Sequence, residues 1–280
     1  MPALITPFDE GGEIDSAAHR HNLQHQWEAG IRGFLIGGST GEGPYLEPGE
    51  RRQLVSEARD VLGHDAYLSC GVAAETVRQA QAMIEEVAEV ADSALVITPT
   101  TLTRNRPAYV EGYYIELAEW SPVPILLYSV PPVTAYELEE EIVVRLSQHP
   151  NISGIKDSGG HPVRLQRFVA TVASDFSIFT GSTQAVSLAI AAGAHGAITA
   201  SANYMPKRLL EVIDAAKANA NNARALQAEI SRLSAVVEAQ GIPGIKAAAD
   251  LAGLQAGRPR GPLQPLPSDL RQELEHLLIR

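Results

Sequence analysis

The chain has one cysteine, Cys70, in 280 residues. That excludes an intramolecular disulfide and a cysteine-built zinc site. Cys70 ends the strand-like Tyr67-Leu68-Ser69-Cys70, where a small buried apolar residue is the simplest role. Lysine is almost as scarce, with only Lys156, Lys207, Lys217 and Lys246. No apolar run approaches membrane-spanning length. The N-terminal Met1-Pro2-Ala3-Leu4-Ile5-Thr6-Pro7 lacks the basic and apolar regions of a signal peptide. Positive charge is in deficit: the net charge is −11 and the pI near 5.2. This argues against a nucleic-acid or anionic-membrane partner. These absences lead to the expectation of a cytoplasmic protein acting on small molecules.

What is present is alternation. Short apolar runs, many of them β-branched, stand at Ala3 to Ile5, Gly33 to Ile36, Ala66 to Cys70, Ala94 to Thr98, and Pro124 to Tyr128. Three more follow at Ile152 to Lys156, Phe176 to Thr180, and Gly196 to Thr199. Amphipathic segments lie between them. After Thr76, residues Val77, Ala80, Ile84, Val87, Ala88 and Ala91 share one helical face. Glu47-Pro48 predicts another helix, with proline in the first turn, where its missing N–H costs nothing. Asp15-Ser16 and Ser182-Thr183 are candidate caps. Alternating strand and helix implies a parallel sheet, since parallel neighbours need a crossover. Eight such units in roughly 220 residues fit a closed (β/α)8 TIM barrel. An open dinucleotide-binding sheet would carry a Gly-x-Gly-x-x-Gly after a strand, and none does. Residues 1–223 are read as the barrel. Residues 224–280 are read as a C-terminal helical extension, broken at Gly241-Ile242-Pro243-Gly244 and by a Pro/Gly-rich link from Gly257 to Pro267.

In such barrels chemistry gathers at the C-terminal ends of strands. The sixth run ends in Gly154-Ile155-Lys156-Asp157-Ser158-Gly159-Gly160. A lysine closing a buried strand is a place where a neutral, nucleophilic amine can be held, because ammonium is costly to desolvate. It reads equally as a strand-end lysine snorkelling to water. Lys207, Lys217 and Lys246 fall in helical patterns, where a solvated position is the default. The second run ends in Gly37-Gly38-Ser39-Thr40-Gly41-Glu42, whose exposed N–H groups and hydroxyls suit a carboxylate or phosphate, although an ordinary βα turn reads the same way. The fifth ends in Tyr128-Ser129-Val130-Pro131-Pro132, which can place a phenol in the mouth as a proton shuttle or leave a core tyrosine. The seventh and eighth end in Gly181-Ser182-Thr183 and Ile198-Thr199-Ala200-Ser201-Ala202-Asn203, small and polar. A competing metal reading rests on His21 and His25, four apart on the first helix with His19 nearby, but no third ligand is evident and they sit away from any strand end.

The segments Gly38-Ser39-Thr40-Gly41-Glu42, Tyr128-Ser129-Val130-Pro131 and Gly154 to Gly160 resemble, in order, three signatures of the dihydrodipicolinate synthase/N-acetylneuraminate lyase family. The resemblance implies a TIM barrel with a helical extension, usually tetrameric. It implies lysine–imine chemistry on pyruvate-like 2-oxo acids, with no metal or organic cofactor. Lys156 matches the imine lysine, Tyr128 the proton-transferring tyrosine, and Ser39 and Thr40, beside Gly38, the carboxylate-binding pair. Ser158, Gly181 and Ile198 match positions lining the family's site. Within the family, Leu146 to Ile152 leading into Lys156 to Gly160, and Gly241 to Lys246, resemble 4-hydroxy-2-oxoglutarate aldolases. Two positions depart from the synthase pattern. Val133 stands where synthases carry an arginine for the semialdehyde carboxylate, and Pro99-Thr100-Thr101-Leu102 lacks the usual tyrosine. Thr101 or Tyr109 is the candidate replacement, and Arg104 and Arg106 are candidates for a distal carboxylate. The resemblance also leaves open a 2-keto-3-deoxy sugar acid aldolase or dehydratase, and a silent 2-oxo-acid-binding barrel.

Overall fold

In the computed structural model, which describes residues 1–278, seven parallel strands pair in chain order. They are β1 (Gly33–Ile36), β2 (Tyr67–Val72), β3 (Ser93–Ile97), β4 (Ile125–Ser129), β5 (Ile152–Asp157), β6 (Ser177–Thr180) and β7 (Gly196–Ala197). Each falls on one of the predicted runs. The remaining run, Ala3 to Ile5, the first in the chain, is a seam and not a full strand. It makes isolated parallel bridges, Pro2 to Thr199 on one side and Ala3 to Leu35 on the other. Backbone hydrogen bonds from Ala3 N to Thr199 O (3.0 Å) and from Leu4 N to Leu35 O (2.9 Å) close the curled sheet into a barrel. The seam stays short because Pro2 has no N–H to offer and because the Ile5 N–H is taken by a side chain, donating to Asn203 Oδ1 at 3.1 Å. Asn203 is fully buried, and its Nδ2 donates to Ala3 O and Ala200 O, each at 2.8 Å.

The helices begin with α1 (Ser16–Glu28), whose first turn is capped by Asp15 accepting from Ala18 N at 2.9 Å. The helix expected from Pro48 starts later, as α2 (Glu50–Leu62), because Gly49 is left-handed at φ 94°. Glu50 then reaches back to accept the Glu47 N–H at 2.7 Å. Thr76 caps α3 (Val77–Glu85), which ends before the predicted apolar face does, although Val87 and Ala91 remain buried in turns beyond it. There follow α4 (Pro107–Trp120), α5 (Pro131–Thr134), α6 (Glu140–Leu146), α7 (Pro162–Thr171), α8 (Val186–Ala191) and α9 (Pro206–Lys217). The extension comprises α10 (Ala223–Glu238), α11 (Gly241–Leu251) and α12 (Ser268–Leu278); residues 279 and 280 lie outside the described residues. Gly241 to Gly244, read from sequence as a break, forms the first turn of α11, and the break falls at residues 239 and 240. The stretch from Gly257 to Pro267 is free of helix, as its Pro/Gly content implies. Among the described residues, no helix is long and apolar enough to cross a membrane.

Strand alternation sorts side chains into two layers. Leu35, Leu95, Leu126, Tyr128 and Ile198 point into one cluster with Ala3 and Val130, and Ile97 and Phe179 pack against it, filling the barrel interior. Their neighbours Ile36, Val96, Leu127 and Ile155 meet the helices outside. The extension shares a core with the barrel: Ile230, Leu233, Ile245, Ala248 and Leu274 cluster with Ile5, Ala197 and Leu209. Cys70, in this outer layer, is fully buried, and burial pushes its thiol up to about 12, which makes it inert at neutral pH.

Asn203 stitches the seam, so removing its side chain orphans a buried N–H and a buried carbonyl. Asn203→Ala should therefore lose about 2–6 kcal/mol of stability, at about 1–3 kcal/mol per unsatisfied group. Urea unfolding with unchanged m would register this as a lowered midpoint.

Candidate active site

The pairing of β4 with β5 places Tyr128 directly across from Lys156, and β5 with β6 places Lys156 across from Phe179. Both Lys156 and Tyr128 therefore point inward. Lys156 is 4% exposed. Its Nζ donates to Tyr128 Oη at 3.4 Å and lies 4.4 Å from the centre of the phenol ring. That hydrogen bond is long.

The next residue faces the other way. Asp157 is buried among the helices and accepts from Arg164 Nε, in the first turn of α7, at 2.9 Å. Its second oxygen accepts from Gly159 N at 3.0 Å, and Arg164 also donates to Leu138 O. This fully satisfied pair fixes the loop that carries Ser158, without placing a carboxylate beside the amine. Ser158 is also tied to β4, its N–H donating to Ser129 O at 2.9 Å. No motif in the sequence points to this clamp. Its only signal is an acid in the outward phase of the strand with an arginine seven residues later.

Gly181 completes the inner wall. A Cβ there would lie 1.9 Å from Ser158 Oγ and 3.0 Å from Lys156 Cε, so any side chain would displace Ser158 and crowd the amine. Its N–H donates to Asp157 O at 2.6 Å. Ile198 is fully buried and packs in the same interior cluster as Tyr128. Gly38, Ser39 and Tyr128 line one narrow cleft together with Pro44, Val72 and Ala73. Thr40 is half-buried in the same β1 loop, beyond that cleft lining. The residues predicted from sequence thus fall into an inner group of Lys156, Tyr128, Ser158 and Gly181, a loop of Gly38, Ser39 and Thr40, and a wall residue, Ile198.

One expectation changes. Lys246, expected at a solvated helical position, is 2% exposed and paired with Glu42. Tyr109 lies exposed in the first turn of α4, and Thr101 sits in a loop held by Glu75, whose Oε2 accepts the Thr101 N–H at 2.8 Å. The His21 and His25 rings lie 6.1 Å apart, but His19 does not join them. His19 is buried against Leu54 O at 3.1 Å and His21 bonds Gly253 O at 3.0 Å. Among the described residues, no cluster of three or more His, Cys, Asp or Glu could hold a metal.

The model described as the dihydrodipicolinate synthetase family matches residues 1–280 of this chain. The chain belongs to that family. A 4-hydroxy-tetrahydrodipicolinate synthase from Methanospirillum hungatei is 30% identical over 287 residues, covering 100% of this chain and 98% of its own. The crystal structure of a Bacillus anthracis dihydrodipicolinate synthase superposes with a TM-score of 0.94 at 26% identity, covering 99% and 96%. An Acinetobacter baumannii dihydrodipicolinate synthase, solved in complex with pyruvate, has a TM-score of 0.93 at 27% identity, again covering 99% and 96%. As a member of the dihydrodipicolinate synthetase family, the chain is a lyase of the lysine–imine class with a (β/α)8 barrel fold.

A further polar network joins the ends of β6 and β7 to the extension of this family member. Thr183 Oγ1 lies 2.7 Å from Ser201 Oγ and donates to Glu238 Oε1 at 2.9 Å, and Ser201 donates to Thr199 Oγ1 at 3.1 Å. Thr183 therefore bonds across elements and does not cap. Burial pushes the Glu238 carboxyl above the usual carboxylate range, while the Thr183 and Tyr204 hydroxyls pull it back. Its place at the end of α10, where the helix dipole is negative, disfavours the anion further. The folded chain then holds this proton more tightly than the unfolded chain. The stabilisation is complete below the ordinary glutamate pKa of about 4.3 and is lost as pH rises through the raised folded value. Relative to wild type, Glu238→Gln should unfold at a higher urea midpoint at pH 8, and the difference should shrink towards pH 4. A pH-independent difference would exclude this account.

Proposed function

We propose that Lys156 is the nucleophile that forms the imine, that Tyr128 carries its protons, and that the substrate is a pyruvate-type 2-oxo acid cleaved or joined at carbon 3. The observation that supports this reading is the buried amine 3.4 Å from a phenol on the neighbouring strand. In this scheme Lys156 adds to the ketone at carbon 2 and expels water, leaving a protonated imine that draws electrons from the bond between carbons 3 and 4. The hydroxyl on carbon 4 yields its proton through Tyr128 as that bond breaks, and an aldehyde leaves. The enamine takes up a proton, and water releases pyruvate and the free lysine. Gly38, Ser39 and Thr40 hold the carboxylate through N–H groups and hydroxyls. Ser158, Gly181 and Ile198 shape the wall around the amine.

For the substrate itself we propose 4-hydroxy-2-oxoglutarate, cleaved to pyruvate and glyoxylate. Val133, 64% exposed, stands where the synthase pattern needs an arginine for the semialdehyde's carboxylate, and valine cannot bind a carboxylate. Arg104 and Arg106, both exposed in the loop before α4, are the cations available for the distal carboxylate. The second reading is the condensation named for the curated relatives, 4-hydroxy-tetrahydrodipicolinate synthesis, supported by 30% identity across the whole chain. On either reading the protein assembles as a homo-oligomer, as the sequence resemblance implies.

Borohydride with pyruvate should inactivate the enzyme irreversibly, and mass spectrometry should place the adduct on Lys156; full inactivation with Lys156 unmodified overturns the assignment. Tyr128→Phe should lower kcat by about 10²–10⁴-fold, the usual contribution of a positioned proton donor, while pyruvate trapping persists. A turnover screen over 4-hydroxy-2-oxoglutarate, 2-oxo-3-deoxygluconate, sialic acid, and aspartate semialdehyde with pyruvate decides between the substrates. Turnover of the last alone would establish the synthase reading.

A further inference from the structure

The Glu42 side chain ends the β1 loop in an unusual way. Its backbone is left-handed at φ 57°, a conformation that favours glycine, yet the residue is a glutamate 1% exposed. The glycines on either side are locked in place. A Cβ on Gly41 would lie 2.5 Å from Leu4 O, and one on Gly43 would lie 1.9 Å from Gly37 O. With both neighbours spoken for by close backbone approach, Glu42 is the one residue in this turn that can carry a long polar side chain. The turn folds back on the residues proposed to hold the carboxylate, with Glu42 N donating to Ser39 O at 3.1 Å and Gly43 N to Gly38 O at 3.0 Å.

The carboxylate of Glu42 is held by the extension. Oε1 lies 2.7 Å from Lys246 Nζ on α11, and Oε2 accepts from Arg260 N at 2.7 Å. Lys246 also donates to Arg258 O at 2.6 Å. Desolvation lowers the Lys246 pKa, with Glu42 opposing that shift. The surroundings are rigid. The Arg260 guanidinium sits 4.1 Å over the Phe8 ring and pairs both its terminal nitrogens with Glu50, at 2.6 and 2.7 Å, while donating to Tyr45 O and Gly12 O. Every group that fixes the carboxylate of Glu42 thus comes from outside the barrel's own loops.

We propose that Glu42 and Lys246 are a positioning pair for the reaction: by clamping the end of the β1 loop to α11, they hold Ser39 and Thr40 where the 2-oxo acid carboxylate binds. This rests on the lysine–imine reading above. It makes the extension part of the substrate-binding apparatus, in addition to its packing role. It also accounts for a strained glutamate where glycine would cost less, since glycine has no carboxylate to clamp.

The test uses the full chain with both partners replaced, Glu42→Gln with Lys246→Met, because removing only one leaves an uncompensated buried charge that can unfold the protein. Pyruvate is titrated in the borohydride reaction and the Lys156 adduct quantified by mass spectrometry. The half-saturating pyruvate concentration should rise at least tenfold, with the plateau of adduct within twofold of wild type. Amide exchange should quicken in residues 38–43 and stay unchanged in β5. A variant with a lowered melting temperature but wild-type half-saturation overturns the proposal and leaves the pair a purely structural one. If wild-type Lys156 takes up no pyruvate at all, the lysine–imine reading fails first and the proposal falls with it.

Discussion

The register of β4 against β5 is the constraint on which this site depends. With Tyr128 opposite Lys156, the amine and the phenol share the barrel interior, and Ser129 and Asp157 share the outer layer. Side chains alternate with a period of two, so a slip of one residue would turn Asp157 inward and Lys156 out among the helices. The protein secures the register on both sides. Inside, Gly154 allows close approach, since a Cβ there would meet Ser177 O at 2.4 Å and Leu126 at 2.9 Å. Outside, Asp157 and Arg164 form a buried pair whose carboxylate oxygens are both engaged. A buried pair of this kind is weak evidence for stability, but a misregistered strand would strand its charges.

The same economy appears where the barrel closes. A short N-terminal segment beginning next to a proline cannot complete a full strand ladder. A fully buried asparagine takes over the missing pairings with its amide. Closure by a side chain leaves the last strand ends free to carry Ile198 on the inside and the Thr199–Ser201–Thr183 hydroxyls on the side facing α10. Ring closure and site construction thus draw on the same few residues after β7.

Much of this was legible in the sequence because it follows from local rules. Seven of the eight runs predicted as strands coincide with observed strands because β-branched apolar residues bounded by glycine and proline have few other uses. Lys156 could be singled out because the chain has so few lysines and only this one closes a strand. The resemblance placed Ser158, Gly181 and Ile198, and the structure sets the first two against the amine. What was illegible is long-range. Lys246 is separated from Glu42 by some two hundred residues, and a lysine in an amphipathic pattern looks solvated until its partner is known. Asn203 read as one polar residue among several, since nothing local says that its amide will meet residues 3 and 5. The α2 start lies two residues beyond Pro48, because a proline suits a first turn in sequence while the left-handed Gly49 delays the helix in the fold.

Gly181 has a bearing on how such an enzyme can change its specificity. On the proposed function, even a methyl group at this position would displace Ser158 and crowd the amine, so that wall offers little room for tailoring. Variation must come from the rim, where Val133, Leu102, Arg104 and Arg106 are exposed and carry no part of the barrel's packing. A barrel arranged this way divides its inheritance: the depth of the cup preserves one reaction, and the lip is where new acceptors can be tried.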